Sequence, residues 1–554
     1  MNFKVMKTIV LKSVMSMMFL FGIAVVVSVC TGTEVSAAKI IDNGDYTYEV
    51  LEDGKSAAIK NYKGESLYVS LPSRVEDYTV TEVSSSAFMS NHTIKELEIC
   101  DTIKKIDSNA FAECTALQKL QIPGNVEIIG DSAFQNCTEL SSLTIYDGTK
   151  RIGHYAFAGC ISLGELKLPN HLEEIGDYAF FNCSSLENVS IPNGIESFGG
   201  YALEGTQWIK NQKSEFVIVG DGILIKYNSD KKYISLSDKV KTIGKYSFAE
   251  NKSVNTVLVS PETKKIESSA FENCTALEVV RIHPDSVEEI NSRAFYDCKS
   301  LNNITLPNSI AKIDKHTFGN CEGLEMITIP SNVITVSEGA FEGCIQLENL
   351  TIMGGLQNIE TDAFKDCKNL RRIIFPTTLR KIQKSAFSNC SSLTRVEFNS
   401  DIMLEPLAFT DCVNISEAVF YVNIKELQPN AFENSPMLTL YSDNNYYLQE
   451  YAEKNKIQND HIKNLAEYQD KGNIPVEPPK EVSGFSGTYT LIVVMIIIVD
   501  IALVVLFSFY IIFVVPNGRH SRQTTIRVPR GGKYSKRPTP RNQNRSSRTP
   551  PRTK

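Results

Sequence analysis

One tryptophan and seven histidines occur in 554 residues, and the compact signatures from which chemistry is usually built are missing. No His-Glu-x-x-His sets two imidazoles on one helix face, and no Cys-x-x-Cys or Cys-x-x-His folds ligands around a metal. No Gly-x-Ser-x-Gly elbow presents a nucleophile, and no glycine-rich phosphate loop follows a strand and opens a helix. The histidines are scattered from His92 to His520. These absences point to a protein that is not an enzyme, with no catalytic residues, no cofactor and no metal site.

Long apolar runs are also scarce; there are two. The first lies within residues 1–37, where Lys4, Lys7 and Lys12 accompany a run from Met15 to Val29, and Val35-Ser36-Ala37 supplies a small-residue cleavage site. That order is a secretory signal peptide. A lipid anchor at Cys30 is the lesser reading, because Val29 stands where a small residue is wanted. The second run, from Leu491 to Val515, spans a roughly 30 Å hydrocarbon layer at about 1.5 Å per helical residue, and predicts a transmembrane helix over 489–515. Asp500 inside it is either a tolerated, protonated acid or a contact for an intramembrane partner. Residues 516–554 hold 12 Lys or Arg and no acid. By the positive-inside rule this tail is cytoplasmic, and its Pro and Arg content predicts disorder and attraction to anionic lipid headgroups. The resulting expectation is a single-pass protein of the cell membrane with its amino-terminal body outside. Without the tail and residues 1–37 the body carries about 21 negative charges, which argues against nucleic acid as its partner.

What the chain has in abundance is repetition. Phenylalanines recur at Phe88, Phe111, Phe134, Phe157 and Phe180, and again from Phe248 through Phe271, Phe295, Phe318, Phe341, Phe364, Phe387 and Phe409 to Phe432, nearly always 23 residues apart. A fixed period of this length is the mark of a solenoid. In "LQKLQIP" the apolar Leu120 and Ile122 alternate with Lys119 and Gln121, as in a half-buried strand. Each turn therefore gives one short strand to a parallel sheet, and Pro123 and its counterparts end the pairing. A second apolar pair, such as Ile310 and Ile313, marks another extended segment, with the Ala-Phe pair on a tight turn or short helical corner between them. No 23-residue unit buries its apolar face alone, so about fifteen coils should stack.

The recurring phrase Ala-Phe-x-x-Cys-x-x-Leu-x-x-Leu-x-Ile-Pro resembles the BspA-like, or treponemal-type, leucine-rich repeat family over about Ala87 to Phe432. The resemblance implies a mainly β leucine-rich repeat solenoid on an exported surface protein, associated with adhesion and with binding proteins of host or neighbouring cells.

The domain reading is an amino-terminal cap over 38–83, the solenoid over 84–437, a carboxyl-terminal cap over 438–470 and a Pro/Gly linker over 471–488. Residues 201–248 are irregular: Leu203 replaces Phe, "FVIVGDGILIKY" reads as a β-hairpin around Gly220-Asp221-Gly222, and the lone Trp208 is a candidate contact. A degenerate repeat that keeps the stack continuous is the plainer explanation.

Eleven of the 13 cysteines share one repeat column. Phe111 with Cys114, Phe134 with Cys137, Phe271 with Cys274, Phe341 with Cys344 and Phe387 with Cys390 represent the expected structural ladder. The side chains of one column point in parallel and an odd number cannot pair fully, so a packing ladder is preferred over disulfides or metal. If the inward columns build the wall, a partner must be met by the outward ones, with Lys119, Arg281, Arg372 and Arg395 as candidate contacts. The expected function is recognition of an extracellular protein ligand by a membrane-anchored solenoid. The alternative is a structural, envelope-organising protein that acts through its basic tail.

Overall fold

The structure, a computed structural model, describes residues 39–422, 424, 426–443, 446–455 and 462–466. The expected signal peptide, linker, transmembrane helix and tail lie outside the described residues, as do parts of the 438–470 cap. Among the described residues no helix is long and apolar enough to cross a membrane. The chain divides into two compact units, 1–481 and 482–554, and the described residues all belong to the first.

The coil around Phe271 illustrates the wall. A two-residue strand, Lys265–Ile266, aligns with Glu289–Ile290 of the next coil, and a longer strand, Val279–Arg281, aligns with Asn303–Ile304. Both ladders are parallel. Between them the chain turns through Ala270, Phe271, Cys274 and Leu277, all buried. Ile266 and Val280 point inward from the two ladders, so the core lies between two sheets and is sealed on one side by the corners.

The phenylalanines form a face-to-face column. Ring centroids are 5.1 Å apart at Phe111 and Phe134, and 5.2 Å apart at Phe271 and Phe295, with planes within 4° of parallel. Each ring contributes about 1.5–3 kcal/mol by burial, and each contact about 0.5–1.5 kcal/mol more. The cysteine beside each ring acts as a donor as well as a filler. Cys114 Sγ donates to the Phe88 carbonyl at 3.3 Å and Cys137 Sγ to Phe111 at 3.3 Å, and Cys274, Cys344 and Cys390 do the same to Phe248, Phe318 and Phe364. The twelve described cysteines are free thiols. Burial pushes the Cys114, Cys344 and Cys390 thiols well up, away from the reactive thiolate.

One expectation needs correction. The coils number about 17, because a count made on corners misses two coils that have none: those containing the strands Ser56–Tyr62 and Ile223–Tyr227. The corners, expected as a tight turn or a short helix, are successive turns and not helices. Each carries two residues with left-handed backbone, such as Ser269 at φ 59° and Asn273 at φ 60°, and a left-handed residue cannot propagate a right-handed helix. The second of these sites is often Asn, Asp or Gly. At Gly159, φ 76°, an added Cβ would lie 2.3 Å from Asn136 Oδ1, so a side chain there would make that amide turn aside.

The two ends are closed differently. At the start, an antiparallel hairpin, Tyr46–Val50 with Ser56–Tyr62, sets Tyr62 on Phe88 at 4.9 Å. At the finish, the helix Tyr446–Asn455 covers the last corner. Its Tyr451 hydroxyl accepts from the Phe432 N–H at 3.0 Å, and its Asn455 Oδ1 from the Asn430 N–H at 3.3 Å. Those two N–H groups would otherwise seek a further coil.

Candidate functional site

Two regions of the solenoid present side chains that the wall itself does not need: the outer face of the longer-stranded sheet, and the seam at residues 201–248.

On the outer face, Lys119 is exposed and stands in register between Glu96 and Ser142. Arg281 is exposed at the end of Val279–Arg281, opposite Leu258. Arg372 lies four strands beyond Arg281, about 19 Å at ~4.8 Å per strand, so the sequence-derived contacts do not converge on one spot. Only Arg372 and Arg395 are brought together, as register partners on adjoining strands. Both reach Glu397, at 2.6 Å and 2.8 Å, and the Tyr421 hydroxyl donates to the same carboxylate at 3.1 Å. Glu397 has 1% of its side chain exposed and Arg395 has 15%. Here the alternation of the sequence does not give an outward pair, because Val419, Tyr421, Tyr441 and Leu465 form a small apolar cluster beside it. The open face also has apolar members: Met326, outward by strand alternation, is 60% exposed, and Tyr233, which the sequence reading did not single out, is 72% exposed. Both occupy outward strand positions where a polar residue is usual.

The seam is where one array stops and another starts. Leu203 fills the phenylalanine column and Thr206 the cysteine column; Thr206 Oγ1 donates to the Leu203 carbonyl at 2.7 Å and accepts from the Ile209 N–H, capping the short helix Gln207–Asn211. Trp208 lies on that helix, partly buried against the first core, and its backbone N–H donates to the Leu186 carbonyl. The hairpin read from the sequence is present, Phe216–Val219 against Ile223–Tyr227. Its second strand runs parallel to Thr242–Ile243 and continues the shorter-stranded ladder. The first apolar core ends at Ile223 and the second begins at Leu224.

This coil makes no corner. Tyr227 enters the ring column 4.9 Å from Phe248 and its backbone N–H donates to the Ser247 carbonyl, after which the chain runs directly to the strand Tyr233–Ser235. A cleft of about 340 Å³ is left, lined by Phe198, Leu203, Tyr227, Ser247, Phe248 and Ala249 among others. The Ser247 hydroxyl is buried, in a residue 4% exposed, and has no hydrogen-bond partner among the described residues. Along the edge of the cleft, Tyr155, Tyr178, Tyr201 and Tyr246 stack at 4.8, 5.5 and 4.7 Å. The Lys245 ammonium reaches back to Asp177 at 3.0 Å, and Lys226 pairs with Glu204 at 3.0 Å. Partial burial, then the neighbouring Tyr178 and Glu250, push the Tyr201 hydroxyl up to about 12. Sequence reasoning passed over this tyrosine column, although each member stands two residues before the phenylalanine position.

Among the described residues no group of His, Cys, Asp and Glu is arranged to hold a metal ion. The chain matches the BspA type leucine rich repeat region in six copies, over residues 79–210, 226–348 and 335–457, a division that omits the seam hairpin's first strand. No curated protein matches it. Among solved structures it is similar to a leucine rich cell surface protein from Faecalibacterium prausnitzii A2-165, 24% identical, covering 58% of this chain and 96% of that one at a TM-score of 0.33. It is also similar to a leucine-rich repeat protein from Eubacterium ventriosum ATCC 27560, 19% identical over 72% and 95% of the two chains, TM-score 0.34. The pneumococcal vaccine antigen PcpA is 19% identical over 76% and 96%, TM-score 0.29.

Proposed function

The chain belongs to the BspA-type leucine-rich repeat family, and from that premise we propose that it is a membrane-anchored surface protein whose solenoid binds protein partners through the outer face of its longer-stranded sheet. The observation that carries this reading is the composition of that face. Exposed Tyr233, Leu258 and Met326 stand among charged and polar residues such as Lys119 and Arg281. Aromatic residues, Met and Arg are the types enriched at protein interfaces. The basic tail, held against anionic lipid on the inner side, serves as ballast for the anchor.

The test is capture of surface proteins by cells that display the full chain. Lys119→Glu, Arg281→Glu and Met326→Glu together should reduce capture at least about tenfold with an unchanged melting temperature, and deletion of 516–554 should leave it intact. Arg372 is left out because reversing it would set a second carboxylate against the buried Glu397. The opposite pattern, with capture lost on tail deletion and indifferent to the sheet, would replace this reading by that of an envelope-organising protein.

A further inference from the structure

Regular corners hand hydrogen bonds to the next: Tyr178 donates to the Gly200 carbonyl, Phe180 to Ala202 and Asn182 to Glu204, and the same three bonds recur at Asn109, Phe111 and Glu113. The bond from the phenylalanine N–H is made at every regular corner, whereas the first of the three is also missing at Tyr246, Ser385 and Leu407. At the seam this chain of bonds is cut. The N–H groups of Tyr201 and Leu203 have no partner among the described residues, and on the far side the carbonyls of Lys245 and Ala249 accept from none. The Ser247 hydroxyl between them is likewise unpartnered. An unpaired buried polar group such as this hydroxyl costs about 1–3 kcal/mol. Where the same donors appear at the end of the second array, on Asn430 and Phe432, the closing helix supplies acceptors for both. The seam has an apolar floor of Leu203, Tyr227 and Phe248, donors on one wall and acceptors on the other.

We propose that this cleft is a binding site for a short turn of a partner protein, which takes the place of the missing corner. A polypeptide turn offers carbonyls to Tyr201 and Leu203 and N–H groups to Lys245 and Ala249. Small and apolar side chains, as in the solenoid's own Ala-Phe corners, fit the floor. This is strand addition transposed to a corner, and it stands independently of the outer-face reading.

The test uses the full chain and a capped peptide with the sequence of residues 384–392, a corner of this protein without acidic residues. Hydrogen exchange is followed in peptides that contain Tyr201 and Leu203. With a dissociation constant of about 1 mM, about 5 mM peptide should slow exchange there about sixfold, while a scrambled peptide does nothing. Ala249→Trp should fill the cleft and abolish the protection with the rest of the exchange map unchanged. Inserting the same nine residues after Ser229 should protect these amides without added peptide. The proposal is overturned if the peptide leaves exchange unaltered, if the scrambled peptide acts equally, or if free hexoses protect these amides and the peptide does not.

Discussion

The amino-terminal hairpin and the seam hairpin are the same device used twice. Tyr46 opposes Tyr62 in one, and Phe216 opposes Tyr227 in the other; both registers slip two residues in, after Thr47 and after Val217. The residue after each hairpin donates back to the residue before it, Lys63 to Asp45 and Asn228 to Glu215. Tyr62 and Tyr227 each lie 4.9 Å from the first phenylalanine of their array. Even the cysteine column agrees. Its first occupant is Asn91 in one array and Asn251 in the other, whose Oδ1 atoms accept from Thr93 and Ile94, and from Ser253 and Val254. A thiol in that place would have no preceding phenylalanine carbonyl to bind. What differs is the surroundings. The first hairpin begins the chain's solenoid, whereas the second follows an array whose last corner is closed only by a five-residue helix. The solenoid is therefore two arrays, each with its own start, and the cleft belongs to the imperfect finish of the first.

The largest break in this comparison comes from the columns themselves. Phe341→Ala, in the middle of the second array, removes a ring stacked on both sides and should cost about 3–5 kcal/mol by denaturant unfolding. If each array has its own start, the loss should appear in the second array, with exchange protection around Phe134 retained. Uniform loss along the whole chain would mean a single cooperative stack.

A smaller effect sharpens the likeness of the two starts. Asn91→Ala and Asn251→Ala each remove one acceptor shared by two N–H groups, and each should cost on the order of 1 kcal/mol. Equal losses in denaturant midpoint are the expected result; a much smaller loss at Asn251 would show that the first array supports the second start.

The smallest effect lies in the alkaline range. Tyr201 in the seam stack has its hydroxyl raised to about 12 from the usual 10. The folded chain therefore holds that proton more tightly, and the associated stability is complete below pH 10 and lost as pH rises toward 12. Tyr201→Phe should flatten the fall in melting temperature over that window without altering it at neutral pH. Identical slopes in the two proteins would place the ring in water, outside the stack.

The period, the parallel strands and the inward columns were legible in the sequence because each coil repeats the same spatial demand at one spacing. The number of coils was not, because the hairpin coils at Ser56–Tyr62 and Ile223–Tyr227 join the ladders without an Ala-Phe corner to mark them. Spacing alone left the corner as a tight turn or a short helix, whereas Asn136, Asn182, Asn273, Asn320 and Asn389 already signal left-handed positions. Strand alternation placed Lys119 and Arg281 correctly on the open face, but could not reveal that Glu397 would be covered, since Tyr441 and Leu465 beside it are distant in sequence. The cleft was the least legible feature. It arises from a segment that is too short between Tyr227 and Tyr233, and its traces are the lost corner between Leu203 and Phe248 and the threonine at position 206 in the cysteine column.

The column of parallel rings also fixes how the molecule would yield to force. A coil drawn from the stack releases 23 residues, roughly 75 Å of extended chain at about 3.3–3.6 Å per residue, for the loss of one ring contact and two short strands. Extension would then proceed in equal increments, and the array boundary between Ile223 and Leu224 would divide the steps into two series. A tether built this way lengthens under load by counted amounts while its remaining coils keep their faces intact.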